Sequence, residues 1–225
     1  IEVYVNKKLT TGLSVSITKV KDLTYGEQYR ININGYPVNA SQLGIKLKAG
    51  LFADQSGNTT KAQEFVLFSC LASTANENAT DSYFLGKNKK VVKRADIEQV
   101  IFVEGINGAN STKWDVSESG DGSIMAWYTG SGPYKVYIGS SVIINGNIDS
   151  SYLFANLGRN TSSMTTDATT NPIVKNLSLV HLDSVTNMSY MFAGCGYSKM
   201  TGFKLDDSVD TTNVTNMEGM FSNLG

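Results

Sequence analysis

The sequence predicts a mostly β protein in two parts: an N-terminal β-sandwich, then a β-meander that runs into stacked repeats with short helices. Three observations carry this. Short runs of alternating apolar and polar residues, broken by Gly/Asn turns, fill the first part of the chain. Aromatic-rich alternating runs bounded by glycines follow them. Near the end, Val185-Thr186-Asn187-Met188-Ser189-Tyr190-Met191-Phe192 returns as Val214-Thr215-Asn216-Met217-Glu218-Gly219-Met220-Phe221, identical at six of eight positions with an offset of 29. Such periods mark units too small to bury their own apolar face, which must lean on neighbours.

The first part, residues 1–92, supplies the strands of the sandwich, immunoglobulin-like in outline. Leu13-Ser14-Val15-Ser16-Ile17-Thr18 alternates, as does Tyr29-Arg30-Ile31-Asn32-Ile33-Asn34 before the Gly35-Tyr36-Pro37 turn. Ile45 to Phe52 alternates and breaks at Asp54-Gln55-Ser56-Gly57-Asn58; Glu64-Phe65-Val66-Leu67-Phe68 and Ser82-Tyr83-Phe84-Leu85 are two further strands. The basic run Lys87, Lys89, Lys90, Lys93 and Arg94 reads as a solvated connector, the alternative being a patch for polyanionic glycans.

The second part, residues 93–225, opens with the strand Ile97–Val103. Trp114-Asp115-Val116-Ser117, the Gly120-Asp121-Gly122 turn, Ser123–Tyr128 and, after Gly130-Ser131-Gly132-Pro133, Tyr134–Ile138 complete a meander. Trp114, Trp127, Tyr134 and Tyr137 read as its core, with a sugar-binding aromatic platform as the alternative.

Repeat units are expected at about 147–158, 173–196 and 200–225. In the earliest, Ser151-Tyr152-Leu153-Phe154-Ala155-Asn156-Leu157-Gly158 aligns with Ser189 to Gly196. Val185, Met188, Met191 and Phe192, and again Val214, Met217, Met220 and Phe221, are spaced as one face of a short helix. With Leu153 and Phe154 they form the predicted repeat core. Asp183/Ser184 and Thr212/Asn213 are suitable N-caps, and Gly196 and Gly225 suitable helix ends. A short strand precedes each helix, Ile173–Leu179 and Met200–Leu205, so each unit follows the grammar of a leucine-rich-repeat solenoid. A methionine stripe also suits an adaptable partner surface, but at this spacing it reads as core.

Composition excludes several functions. The formal charge of −1 in 225 residues gives no electrostatic argument for nucleic acid or an anionic membrane. Apolar runs such as Phe65–Phe68 fall far short of a membrane span. Two distant cysteines, Cys70 and Cys195, allow no metal spacing or disulfide framework, and Cys195 sits in an apolar repeat slot. His181 is the only histidine, without a serine elbow, a phosphate loop or a second metal ligand at helical spacing. The carboxylates Glu118/Asp121 and Asp206/Asp207 lie in turns, and Asp121-Gly122 falls short of the oxygens calcium requires. No catalytic, cofactor-binding or metal residues are therefore assigned. Eight Asn-x-Ser/Thr sequons, including Asn110, follow from an Asn/Thr-rich composition, the alternative being glycosylation in a eukaryotic secreted chain. A Lys–Asn isopeptide bond from Lys19 or Lys21 beside Glu27 or Glu64 is a minor alternative.

The Val-Thr-Asn-Met-x-x-Met-Phe unit, preceded by Asp210-Thr211-Thr212-Asn213, resembles the repeat of BspA-like bacterial surface proteins, a leucine-rich-repeat family. Ile97–Val103, Trp114–Ser117, Gly120–Trp127 and Ser150–Phe154 are similar to the segment that opens many such arrays, so the resemblance covers about residues 97–225. The spacing departs from the family: Phe154 to Phe192 is 38 residues and Phe192 to Phe221 is 29, which makes Arg159–Pro172 an insertion or irregular capping unit. The resemblance implies a non-enzymatic, extracellular surface protein with a structural or adhesive role. Its partner would be a protein or glycan at the cell surface, or another copy of itself. The alternative is an assembly subunit of an extracellular filament or phage appendage. A start at Ile1 suits a processed or excised chain, and an end at Gly225 suits an array that continues or is covered by another subunit.

Overall fold

The computed structural model describes residues 1–23, 26–53, 56–79, 81–108, 111–161, 172–196, 202–205 and 207–224. The fold is mostly β; among the described residues the only helical segments are single 3-10 turns at Arg94–Asp96 and Leu177–Leu179. Two compact units divide the chain, Ile1–Leu67 and Phe68–Gly225.

In the first unit, β1 (Glu2–Val5) turns back into β2 (Lys8–Leu9) through Asn6 and Lys7, both at positive φ as a two-residue hairpin requires. The Asn6 side chain accepts from the Ser41 and Gln42 amides and so fixes this turn to β5 (Gln42–Leu47). β1 and β5 run antiparallel, with Val3 opposite Ile45 and Val5 opposite Leu43, all four buried. β6 (Gln63–Cys70) neighbours β5. A separate ribbon pairs β3 (Ser14–Leu23) with β4 (Gly26–Asn34). The pleat sorts its residues: Val15, Ile17, Ile31 and Ile33 share one face, while Ser14, Ser16, Thr18, Arg30, Asn32 and Asn34 share the other.

In the second unit, β7 (Ile97–Glu104), β8 (Lys113–Asp115), β9 (Ile124–Thr129), β10 (Tyr134–Ser140) and β12 (Val174–Lys175) form a sheet ordered β12-β7-β10-β9-β8. β8, β9 and β10 are an antiparallel meander; β7 lies parallel to both β10 and β12. Ile97, Val100, Phe102, Trp114, Ile124, Ala126, Val136 and Ile138 make its buried face. A second set of parallel pairings joins the end of β6, Phe68–Cys70, to β11 (Ile143–Asn145) and β11 to β13 (Val180–His181).

The division at Leu67/Phe68 replaces the boundary expected at 92/93. Leu71, Ala72, Phe84, Leu85 and Val92 belong to the same core as Phe102 and Phe154. The basic run is not a connector. Lys87 pairs with Glu118, Asn88 donates to the Asp115 and Ser117 carbonyls, and Arg94 is fully buried. Ser82–Leu85 is not a strand either: Tyr83 makes one bridge to Lys93, within turns. The expected strand over Ile173–Leu179 shrinks to Val174–Lys175, because Asn176 adopts a left-handed conformation and the chain enters a 3-10 turn. Gly202–Leu205 has no regular structure, and Met200 and Thr201 lie outside the described residues. Asp54, Gln55, Asn110, Asp206, Gly225 and most of Arg159–Pro172 also lie outside them.

Candidate interaction surface: a stack of three coils

The repeat segments are not helices. Each is a chain of linked turns, and the three coils, 149–158, 187–196 and 216–224, stack in parallel. The spacing of Met188, Met191 and Phe192 fits one helix face, but two successive turns bring the same residues to one side.

Backbone amides alternate in direction. One set closes turns within a coil: Leu153 N donates to Ser150 O, Met191 N to Met188 O, and Met220 N to Met217 O. The other set reaches the next coil. Ser150, Tyr152, Phe154 and Asn156 donate to the carbonyls of Asn187, Ser189, Met191 and Ala193 at 2.8–3.1 Å. Met188, Tyr190, Phe192 and Gly194 donate in turn to Asn216, Glu218, Met220 and Ser222 at 2.7–2.9 Å. A helix would direct every amide to its own fourth predecessor; here half of them hold neighbouring coils together.

This path needs left-handed residues at matched positions. Tyr152, Tyr190 and Gly219 occupy one, with φ of 59°, 56° and 57°; Asn156, Gly194 and Asn223 occupy the other, with φ of 59°, 65° and 54°. Gly and Asn adopt that region most easily. Gly219 is constrained a second way, since a Cβ there would run into the Tyr190 ring. Each coil begins at an Asx corner: Asp149, Asn187 and Asn216 accept from the amides of Ser151, Ser189 and Glu218, each at 3.0 Å.

Side chains repeat the stacking. Phe154 lies over Phe192 with centroids 5.3 Å apart, and Phe192 over Phe221 at 5.8 Å and nearly coplanar. Tyr152 and Tyr190 stack at 5.2 Å, and the Tyr190 hydroxyl donates to Glu218. Of the predicted repeat core, Leu153, Phe154, Val185, Met188, Met191, Phe192 and Met220 are buried, and Val214 is partly buried. The sequence-based spine also includes Met217 and Phe221. These are 50% and 43% exposed, because no further coil covers the third one among the described residues.

The other end of the stack is closed by a residue the sequence reading placed in a linker. Arg94, 0% exposed, donates through Nη1 to the carbonyls of Tyr152, Leu153 and Ala155 at 2.6, 3.0 and 3.1 Å. Its Nε and Nη2 meet Glu77, whose carboxylate also accepts from the Leu85 and Gly86 amides. The Cys195 thiol donates to Phe154 O at 2.8 Å, and burial pushes its pKa up to about 12; burial does the same to Cys70. Both are held as thiols at neutral pH.

The remaining candidate residues are scattered. His181 is exposed on β13. Glu118 pairs with Lys87 and accepts from Ser73 N and Asn147 Nδ2, while Asp115 and Asp121 accept from Ser117, Gly122 and Ser123 within the β8–β9 turn. Among the described residues no group of three His, Cys, Asp or Glu is placed to hold a metal, and no helix is long and apolar enough to cross a membrane. Trp114 and Trp127 are buried, the latter stacked on Tyr137 at 6.0 Å. Sequon residues Asn160, Asn176, Asn187 and Asn213 use their amides to hold Asp96, Phe102 O, Asp149 and Asp183 O. Glu64, an isopeptide candidate, pairs with Lys46 at 2.7 Å. Comparison with protein-family models, with curated proteins and with solved structures returns no match.

Proposed function

We propose that this chain is a non-enzymatic module of an extracellular bacterial surface protein of the BspA-like, leucine-rich-repeat type. Its N-terminal β-sandwich would be carried beside a repeat scaffold that makes structural or adhesive contact with a protein or glycan. The observation that supports this most is the continuity of one hydrogen-bond ladder and one phenylalanine ladder through three coils. A stack held by backbone and spine leaves its outward side chains free to vary with the partner, as repeat scaffolds do. Beads coated with the full chain should be retained on immobilised matrix proteins or on arrayed glycans above uncoated beads. Retention on none of them, or turnover of any arrayed glycan, would end this reading.

A second reading, an assembly subunit of a filament or appendage, is favoured by the β3–β4 ribbon. Val15 and Ile17 on its apolar face are at least one-third exposed, and β3 and β4 pair only with each other among the described residues. Filaments in electron micrographs of the purified chain would select it.

A further inference from the structure

The coil-to-coil interface has a direction. After each Asx corner, alternate amides of one coil donate to alternate carbonyls of the next. In the third coil the matching amides are those of Met217, Gly219, Phe221 and Asn223, and none of them has an acceptor among the described residues. They stand in register with Met188, Tyr190, Phe192 and Gly194 above them, and with Ser150, Tyr152, Phe154 and Asn156 above those. Met217 and Phe221 flank the row as the half-exposed last members of the methionine and phenylalanine ladders. The carbonyl of Thr215 is also open among the described residues, where the equivalent Thr186 carbonyl accepts from the Thr215 and Asn216 amides.

We infer that the Met217–Asn223 face is a template for one further coil of the chain's own Thr-Asn-Met-x-x-Met-Phe pattern, entering with its carbonyl side and covalently tethered. Four considerations fix that occupant. A row of donors two residues apart demands acceptors at the same spacing, which an Asx corner followed by linked turns presents. An identical face from a second copy would set donors against donors. The equivalent carbonyls at the opposite end of a second copy are taken, Ser151 O by the Thr74 hydroxyl and Leu153 O and Ala155 O by Arg94, so that end offers no open carbonyl row. Tethering is required because a free peptide would lose about 1–2 kcal/mol of backbone entropy per ordered residue. This inference rests on coil geometry alone and does not depend on the adhesive reading.

The test extends the full chain after Gly225 by a second copy of residues 197–225, which preserves the 29-residue spacing. Amide hydrogen exchange at Met217, Gly219, Phe221 and Asn223 should slow by about 100-fold, towards the rates of the equivalent amides in the second coil. Met217→Asp and Phe221→Asp in the appended copy only should abolish the slowing. Slow exchange at Phe154 and Phe192 reports throughout that the original stack is intact. Unchanged exchange at the four amides with that stack intact would overturn the inference. So would protection that develops in the unextended chain as its concentration rises, which would make a second copy the occupant.

Discussion

The two ends of the coil stack meet the same problem in opposite ways. At one end the carbonyls of the first coil converge on a buried guanidinium neutralised by Glu77, and Phe154 is fully enclosed. At the other, four amides have no acceptor among the described residues and Phe221 lies half in water. One end is finished and the other is a growing edge. Stability should therefore decline along the stack, since each coil is supported chiefly by its neighbours.

The largest expected effect is at the finished end. Arg94→Met removes three carbonyl contacts and leaves the partly buried Glu77 without a counter-charge, which should cost about 3–5 kcal/mol. Urea denaturation should show a lower midpoint with unchanged slope. The phenylalanine ladder sharpens the contrast: Phe154→Ala should cost about 3–5 kcal/mol through cavity formation, but Phe221→Ala only about 1 kcal/mol for its smaller buried area. Equal costs would remove the distinction between the ends. Gly219→Ala should fall between them at about 1–3 kcal/mol, from left-handed strain and collision with Tyr190. Asn223→Gly should be close to neutral.

The thiols give a pH-dependent measure. Their folded-state pKa values, near 12 for both Cys70 and Cys195, lie above the unfolded value near 9. The stabilisation from keeping them protonated is complete below pH 9 and is lost as pH rises towards 12. Alkaline unfolding should accordingly begin above pH 9, and thiol reagents at pH 8 should label both cysteines only in urea. The smallest effect is at the growing edge. Glu218 holds the exposed Tyr190 phenol above its usual range through their hydrogen bond, so Glu218→Gln should lower its ultraviolet titration midpoint without a measurable change in stability.

The register of the repeats was legible because phenylalanine and methionine return at fixed offsets, and β3, β4, β7, β9 and β10 were legible from alternation. The coil path was misread as helix because an i, i+3, i+4 apolar spacing does not distinguish a helix from consecutive turns. A usable signal was present: Asn156, Gly194 and Asn223 recur four residues after Tyr152, Tyr190 and Gly219, and a helix has no use for such residues in its interior. Arg94 was missed for a different reason. Four lysines around it describe a solvated segment, and only the fold brings Glu77 and the carbonyls of residues 152–155 to that one side chain.

The closed Arg94 end also sets an order of assembly. Its contacts span some sixty residues, so the segment around Arg94 and the first coil must come together before the second has anything to lie on. Thereafter each coil inherits a ready-made pattern of acceptors and rings, and adding one is a local event. Folding should resemble crystal growth from a seed, slow to start at Arg94 and quick thereafter, with loss on heating running backwards from the far tip.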